Sequence, residues 1–289
     1  MNHSEDTFVG AGGRSMYYQS WAPETSPRGM ILVVHGLGEH SARYQCLATY
    51  FVARDYVVGA LDLNGHGYSG GSPGYVEAFS DYEDDLALFH ELMSQRFPQI
   101  PVFLLGHSMG GLISCCYLRS AQDRFSGAML SGAAVITSQQ PGAIGMWLIR
   151  LLSRVIPRLG LSRLDAKGVS RDADEVTKYT EDPLVYHGAL SARLLHEFFG
   201  SMQSLRASAG KIHIPLLIMH GSEDVMVAPE GSQLLHERVG SDDKTLVLYP
   251  GLYHEIFNEP EKDRVFGDML AWLERHLEPS RQGVDTGID

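Results

Sequence analysis

The sequence predicts an α/β protein, with a mostly parallel central sheet, helices on both of its faces and one helical insertion. Three observations predict it. Short apolar runs rich in β-branched residues recur along the chain. Segments of helical period lie between them, and the alternation breaks once, between about 134 and 204.

Taken in order, Thr7 to Trp21 (TFVGAGGRSMYYQSW) reads as two short strands around a Gly-Gly turn. Gly29 to His35 (GMILVVH) follows, apolar up to its closing histidine, as a central strand buried on both faces should be. Similar runs stand at Tyr56–Leu61, Val102–Leu105, Ala128–Ser131, Leu216–His220 and Thr245–Tyr249. Between two of them, Tyr82 to Phe97 brings Leu86, Phe89, Leu92, Met93 and Phe97 to one side of a helix. From 134 to 204 the chain is helix-like with no convincing strand. The expected organisation is a core domain of 1–133 and 205–289 with a helical cap of 134–204. The polar tail beyond Leu277 is expected to be mobile.

Composition narrows the function classes. A hydrophobic content of 44% is ample for a core, and 35 acidic against 23 basic side chains leave a net charge of −12. That balance excludes general attraction to nucleic acid or to an anionic membrane, so any membrane contact has to be local. Three cysteines, with Cys115 and Cys116 adjacent, offer neither a disulfide framework nor metal-ligand spacing and fit a reducing cytoplasm. The chain shows no signal-peptide-like start and no run of roughly 18 apolar residues. His35, His40, His66 and His107 form no HExxH-like pair and are expected to brace loops, so no metal is expected.

The chemistry is concentrated in three loops that follow strands. GHSMGG, Gly106 to Gly111, sits between VFLL and the helix-like LISCCYLRS. A Gly-x-Ser-x-Gly at a strand-to-helix junction holds its serine on a tight turn with Oγ outward, and the helix start favours an oxyanion. A serine needs a base, and the base needs an acid to fix its tautomer. In the α/β-hydrolase fold the chain order is Ser, acid, His. His254 lies in the PGLYH turn after TLVLY, and Asp224 lies in GSEDVMV after LLIMH, with Glu223 beside it as the weaker candidate. The expected triad is Ser108, His254 and an acid from the GSEDVMV loop, where the resemblance of the run around Asp224 and Val225 to a family pattern implies Asp224 rather than Glu223. In HGLGEHSARY, after the Gly29–His35 strand, the Leu37 N–H is expected to join the Met109 N–H in an oxyanion hole.

HGLGEHSARY, DLNGHGYSGG, GHSMGG, SRDADEVTKYTEDPLVYHG, HGSEDVMV and YPGLYHEIFNEP occur in this order over nearly the whole chain. Together they resemble the monoacylglycerol lipase and lysophospholipase family of α/β-hydrolases, the S33 serine aminopeptidase type. The resemblance implies hydrolysis of a monoacylglycerol or similar single-chain ester through an acyl-enzyme, without a cofactor, under a cap that forms an apolar acyl tunnel. In the cap the match is confined to Ser170–Gly188, which leaves chain length and head group open.

The cap has its own physical reading. On a helix through 144–159, Leu148, Leu151, Leu152, Val155, Ile156 and Leu159 fall on one side and Arg150, Arg154 and Arg158 on the other, with Pro157 ending or kinking it. The reading favoured here is that the apolar side packs inward and lines the pocket, which makes Leu148, Leu152 and Val155 the expected acyl-binding residues. The alternative is peripheral membrane contact through helix 144–159. Asp62, His66 and Ser69 are expected to brace the site, Cys115 and Cys116 to be core residues, and the acidic run Asp172 to Glu175 to be a solvated cap edge. The rival functions are lysophospholipase, short-chain carboxylesterase, iminopeptidase-type amide hydrolase and non-catalytic binding protein. An iminopeptidase requires carboxylates facing a free amine.

Overall fold

A computed structural model describes residues 1–138 and 140–277; the expected polar tail lies outside the described residues. In chain order the strands are β1 (Asn2–Val9), β2 (Ser15–Ala22), β3 (Gly29–Val34), β4 (Tyr56–Leu61), β5 (Val102–His107), β6 (Gly127–Ser131), β7 (Gly160–Ser162), β8 (Leu190–Ser191), β9 (Leu216–Gly221) and β10 (Lys244–Tyr249). The helices are α1 (Gln45–Val52), α2 (Ser80–Arg96), α3 (Met109–Ala121), α4 (Ala143–Val155), α5 (Ala173–Glu181), α6 (Ala192–Ser208), α7 (Pro229–Arg238) and α8 (Lys262–His276). Eight strands form one sheet in the order β1-β2-β4-β3-β5-β6-β9-β10. The β1–β2 hairpin joins antiparallel at one edge, and the six strands from β4 to β10 run parallel.

Buried strands with apolar residues at every position divide those residues between two cores. Met30, Leu32 and Val34 of β3 face the layer of α2, α3 and α6, while Ile31 and Val33 face α1 and α8. The helix expected at Tyr82–Phe97 is α2, which starts two residues earlier and ends one residue earlier, burying Tyr82, Leu86, Phe89 and Met93.

Between β3 and β5 the strand order reverses, because β4 is laid down on one side of β3 and β5 on the other. Such a point leaves a crevice beyond the carboxyl ends of two neighbouring parallel strands. The loop after β3 and the serine after β5 both emerge there.

The chain from β6 to β9 leaves the sheet. It forms α4, α5 and α6, and also the antiparallel pair β7–β8, which the helix-only reading of this stretch had not included. A ribbon of two or three residues is too short to carry a period. The helix α6 continues beyond position 204 to Ser208, packing on both α4 and α3. The insertion is tied down over the crevice: Tyr186 N–H donates to Gly38 O at 2.8 Å, Glu255 N–H to Val169 O at 2.8 Å, and His40 meets Asp182 at 2.8 Å.

Candidate active site

Ser108 stands between β5 and α3 with φ 54° and ψ −119°, a positive-φ conformation that a non-glycine residue rarely adopts. Holding it there costs about 1–3 kcal/mol. The surrounding glycines make the turn possible. A Cβ at Gly110 would lie 2.0 Å from Val34 O, and one at Gly106 would lie 2.5 Å from Ser114 Oγ, so α3 reaches the ends of β3 and β5 only without side chains there.

The turns after β9 and β10 bring two further groups to this serine. His254 Nε2 is 2.9 Å from Ser108 Oγ, and His254 Nδ1 is 2.6 Å from Asp224 Oδ2. Asp224 Oδ1 accepts the N–H groups of Met226 and Val227 at 2.8 and 2.9 Å. Glu223 is exposed and its carboxylate lies 3.4 Å from Ser222 Oγ, so of the two adjacent acids it is Asp224 that meets the imidazole. Burial works against the Asp224 charge, but His254 and His220 outweigh it and hold the carboxyl well below the ordinary range. For His254, burial favours the neutral ring, yet the Asp224 charge and hydrogen bond, with smaller contributions from Glu255 and Glu39, raise its pKa above the ordinary histidine value. The neighbouring His107 ring lies 4.7 Å away, and burial first, then His254, push its pKa down to about 3.

Opposite the serine, Leu37 follows Gly36 into the crevice, and Met109 opens α3 with an N–H that no helical carbonyl can accept. The loop bearing Leu37 is pinned on both flanks. His35 Nε2 accepts the Leu63 N–H, so its Nδ1 carries the hydrogen donated to Gly36 O at 2.7 Å. Glu39 Oε1 accepts the Gly36 N–H at 2.6 Å and the Tyr44 hydroxyl at 2.9 Å. Arg43 makes a two-pronged pair with Glu255 at 2.6 and 2.8 Å and lies 3.4 Å from Glu39. Burial pushes Glu39 up; for Glu255 burial acts the same way but Arg43 prevails and lowers it. Glu39, Arg43, His220 and Glu255 all lie within the motifs quoted from the sequence, but no local signal gives any of them work.

The loop of Asp62, His66 and Ser69 is a brace. Asp62 accepts from Ser41 N–H and Tyr68 N–H, Ser69 Oγ donates to Asp62 O, and His66 packs edge-on against His35. Asp172 caps α5 by accepting the Asp174 N–H, which gives the acidic run a local structural use. Cys115 and Cys116 are buried, and burial pushes their thiols upward, Cys116 to about 12. Among the described residues, no cluster of three or more His, Cys, Asp or Glu side chains is placed to hold a metal ion.

A cavity of about 170 Å³ opens directly above Ser108 and His254. Leu195, Phe198 and Phe199 of α6, Leu164, Leu190 and Met226 supply most of its apolar wall. Leu148, Leu152 and Val155 are not part of it, which corrects the expected acyl-binding set. The helix α4 rests on α6 through Ile149 and Ser153, with Leu152 half-buried, and turns its apolar side to solvent. Trp147 is 61% exposed, Leu148 46% and Val155 67%. Periodicity gave the apolar side of α4 but not the direction it faces; α6, inserted between α4 and α3, takes the inner position. The helix ends at Val155, and Ile156 leaves the helical region with φ −137° and ψ 67°, as the ring of a following proline favours. Arg150 and Arg154 are exposed, whereas Arg158 is held against Tyr75 at 4.1 Å and Ser72 at 3.1 Å.

A family model described as serine aminopeptidase, S33, matches residues 25–261. A monoacylglycerol lipase of Mycolicibacterium smegmatis is 38% identical over 95% of this chain and 98% of its own length. The monoglyceride lipase of Homo sapiens is 33% identical over 92% of this chain and 88% of its own. Among solved structures, the Paleococcus ferrophilus monoacylglycerol lipase superposes with a TM-score of 0.82 at 33% identity, covering 90% of this chain and 99% of the other.

Proposed function

We propose, from the premise that this chain belongs to the S33 serine aminopeptidase family of α/β-hydrolases, that it hydrolyses monoacylglycerols or closely similar single-chain esters. One observation carries the reading: the line Ser108 Oγ, His254 Nε2, His254 Nδ1, Asp224 Oδ2 at the base of an apolar cavity. Ser108 Oγ attacks the ester carbonyl carbon while its proton passes to His254 Nε2. The carbonyl oxygen, now an oxyanion, is met by the N–H groups of Leu37 and Met109. Collapse breaks the ester C–O bond, and the leaving alkoxide takes the proton from His254. Water then repeats the sequence on the acyl-enzyme, giving its proton to His254 and freeing the acid and Ser108.

The carboxylates at the cavity argue for an ester rather than a peptide amine. Glu39 and Glu255 both border it, but Glu39 is engaged by Gly36, Tyr44 and Arg43, and Glu255 by Arg43 and Asn258. A substrate ammonium would have to displace those bonds.

The test is a series of monoacylglycerols and nitrophenyl esters graded by acyl length. Each methylene that enters the cavity contributes about 0.8 kcal/mol, so kcat/KM is expected to rise roughly fourfold per methylene until the wall is reached. Leu195→Trp should shorten the optimum, and Leu148→Trp, on the outside of α4, should leave it in place. A length profile that does not change in Leu195→Trp, or aminoacyl amides turned over better than esters, contradicts the reading.

Peripheral membrane contact belongs to the same proposal. The solvent face of α4 presents Ile144, Trp147, Leu148, Leu151 and Val155 beside the exposed Arg150 and Arg154, on a chain of net charge −12. Among the described residues no helix is long and apolar enough to cross a membrane. With three free thiols, the reading is of a cytoplasmic protein that reaches its lipid by laying α4 on an anionic surface. Replacing Arg150 and Arg154 by Gln should weaken binding to anionic vesicles, as added salt should, while hydrolysis of soluble short esters stays unchanged. Vesicle binding that survives both changes argues against the contact.

A further inference from the structure

Two histidines share one oxygen of the acid. Asp224 Oδ2 lies 2.6 Å from His254 Nδ1 and 3.0 Å from Nε2 of His220, the fully buried residue next to the end of β9. His220 Nε2 is also 3.1 Å from Val227 O, and its Nδ1 is 2.7 Å from the hydroxyl of Ser232, a buried residue of α7. A carboxylate and a carbonyl can only accept, so Nε2 carries the ring hydrogen. In the neutral ring the Ser232 hydroxyl then donates to Nδ1.

We propose that His220, held by Ser232, is a positioning residue for the hydrolysis: its N–H to Asp224 Oδ2 fixes the carboxylate and limits how strongly that carboxylate holds the protonated base. The inference rests on the triad reading above. A carboxylate oxygen that already accepts one N–H is a weaker partner for a second. His254 must bind its proton firmly enough to take it from Ser108 and loosely enough to pass it to the leaving alkoxide. The second histidine moderates that grip, and the two backbone N–H groups on Oδ1 prevent the carboxylate from rotating away.

The experiment is the pH dependence of kcat/KM on a soluble short ester. In the native chain, activity should fall as pH drops through a midpoint above the ordinary histidine value, because the raised His254 pKa keeps the base protonated below it. The charged and titratable groups facing His254 are Asp224, His107 of β5, and Glu39 and Glu255 with Arg43 between them; all are retained in the variants. In His220→Leu the midpoint should move up by roughly 0.5–1 pH unit, and the plateau kcat should fall about tenfold at little changed KM, the loss of one charge-assisted hydrogen bond. His220→Gln, which keeps an amide N–H, should return the midpoint to the native position, and Ser232→Ala should move it in the same direction as Leu by less. If the Leu variant does not fold, His220→Met takes its place. A midpoint unmoved in both the apolar His220 variant and Ser232→Ala overturns the proposal, even with a lowered Tm, since a purely structural role costs stability without moving the ionisation. Failure here leaves Ser108-dependent turnover of the native chain intact, whereas failure of the triad would appear as turnover that survives loss of Ser108.

Discussion

Replacing Ser108 by Ala is expected to lower turnover by on the order of 10⁶-fold and to abolish labelling by a fluorophosphonate. The hydroxyl at this position has what a reactive serine needs: a base at 2.9 Å, an outward-turned Oγ and the start of α3 beneath it. Other serines near the site are committed to structure, as Ser131 is to His107 and Ser232 to His220. What remains in the Ala variant is binding in the cavity and whatever the N–H groups of Leu37 and Met109 do for a water molecule. Undiminished labelling of the Ala variant would refute the assignment.

Asp224→Asn is expected to cost on the order of 10⁴-fold in kcat. The reason lies in which atom can face which. The amide oxygen is kept toward Met226 and Val227, whose N–H groups require an acceptor, so the new NH₂ group faces His254 Nδ1 and His220 Nε2. A donor facing Nδ1 drives the hydrogen of His254 onto Nε2, where it points at Ser108 and can no longer accept the serine proton. Glu223→Gln, in solvent one residue earlier, is expected to change kcat by less than about threefold, as surface substitutions away from a site usually do. Steady-state rates of the two variants on one ester decide the assignment; a greater loss in Glu223→Gln would reverse it.

The parts of this site that are local in sequence were legible in it. Ser108 announces itself because the glycines that permit its turn lie two residues away on either side. For the proposed base and acid, chain order and the ends of apolar runs limit the choices to a few loops. Adjacent residues defeat that method: nothing in the letters ED says that Asp224 turns inward and Glu223 outward, which follows from the N–H groups that seize Asp224. Contacts between distant segments defeat it more thoroughly. Arg43 and Glu255 are separated by 212 positions, and neither carries a local sign of the other. The same limit explains the cap. A helical wheel gives the phase of an apolar side, but which of α4 and α6 takes the inner place is decided by their packing on α3.

The backbone at Ser108 has a consequence for how this chain can change over generations. Its φ of 54° is one that glycine would adopt freely. The position proposed for the nucleophile is thus also one at which a different residue would make the fold more robust. Mutational drift rewarded only for folding would carry the chain toward an inert hydrolase scaffold. Serine persists there only under selection for turnover, and an inactive descendant of this chain would be expected to lose that residue before it lost the fold.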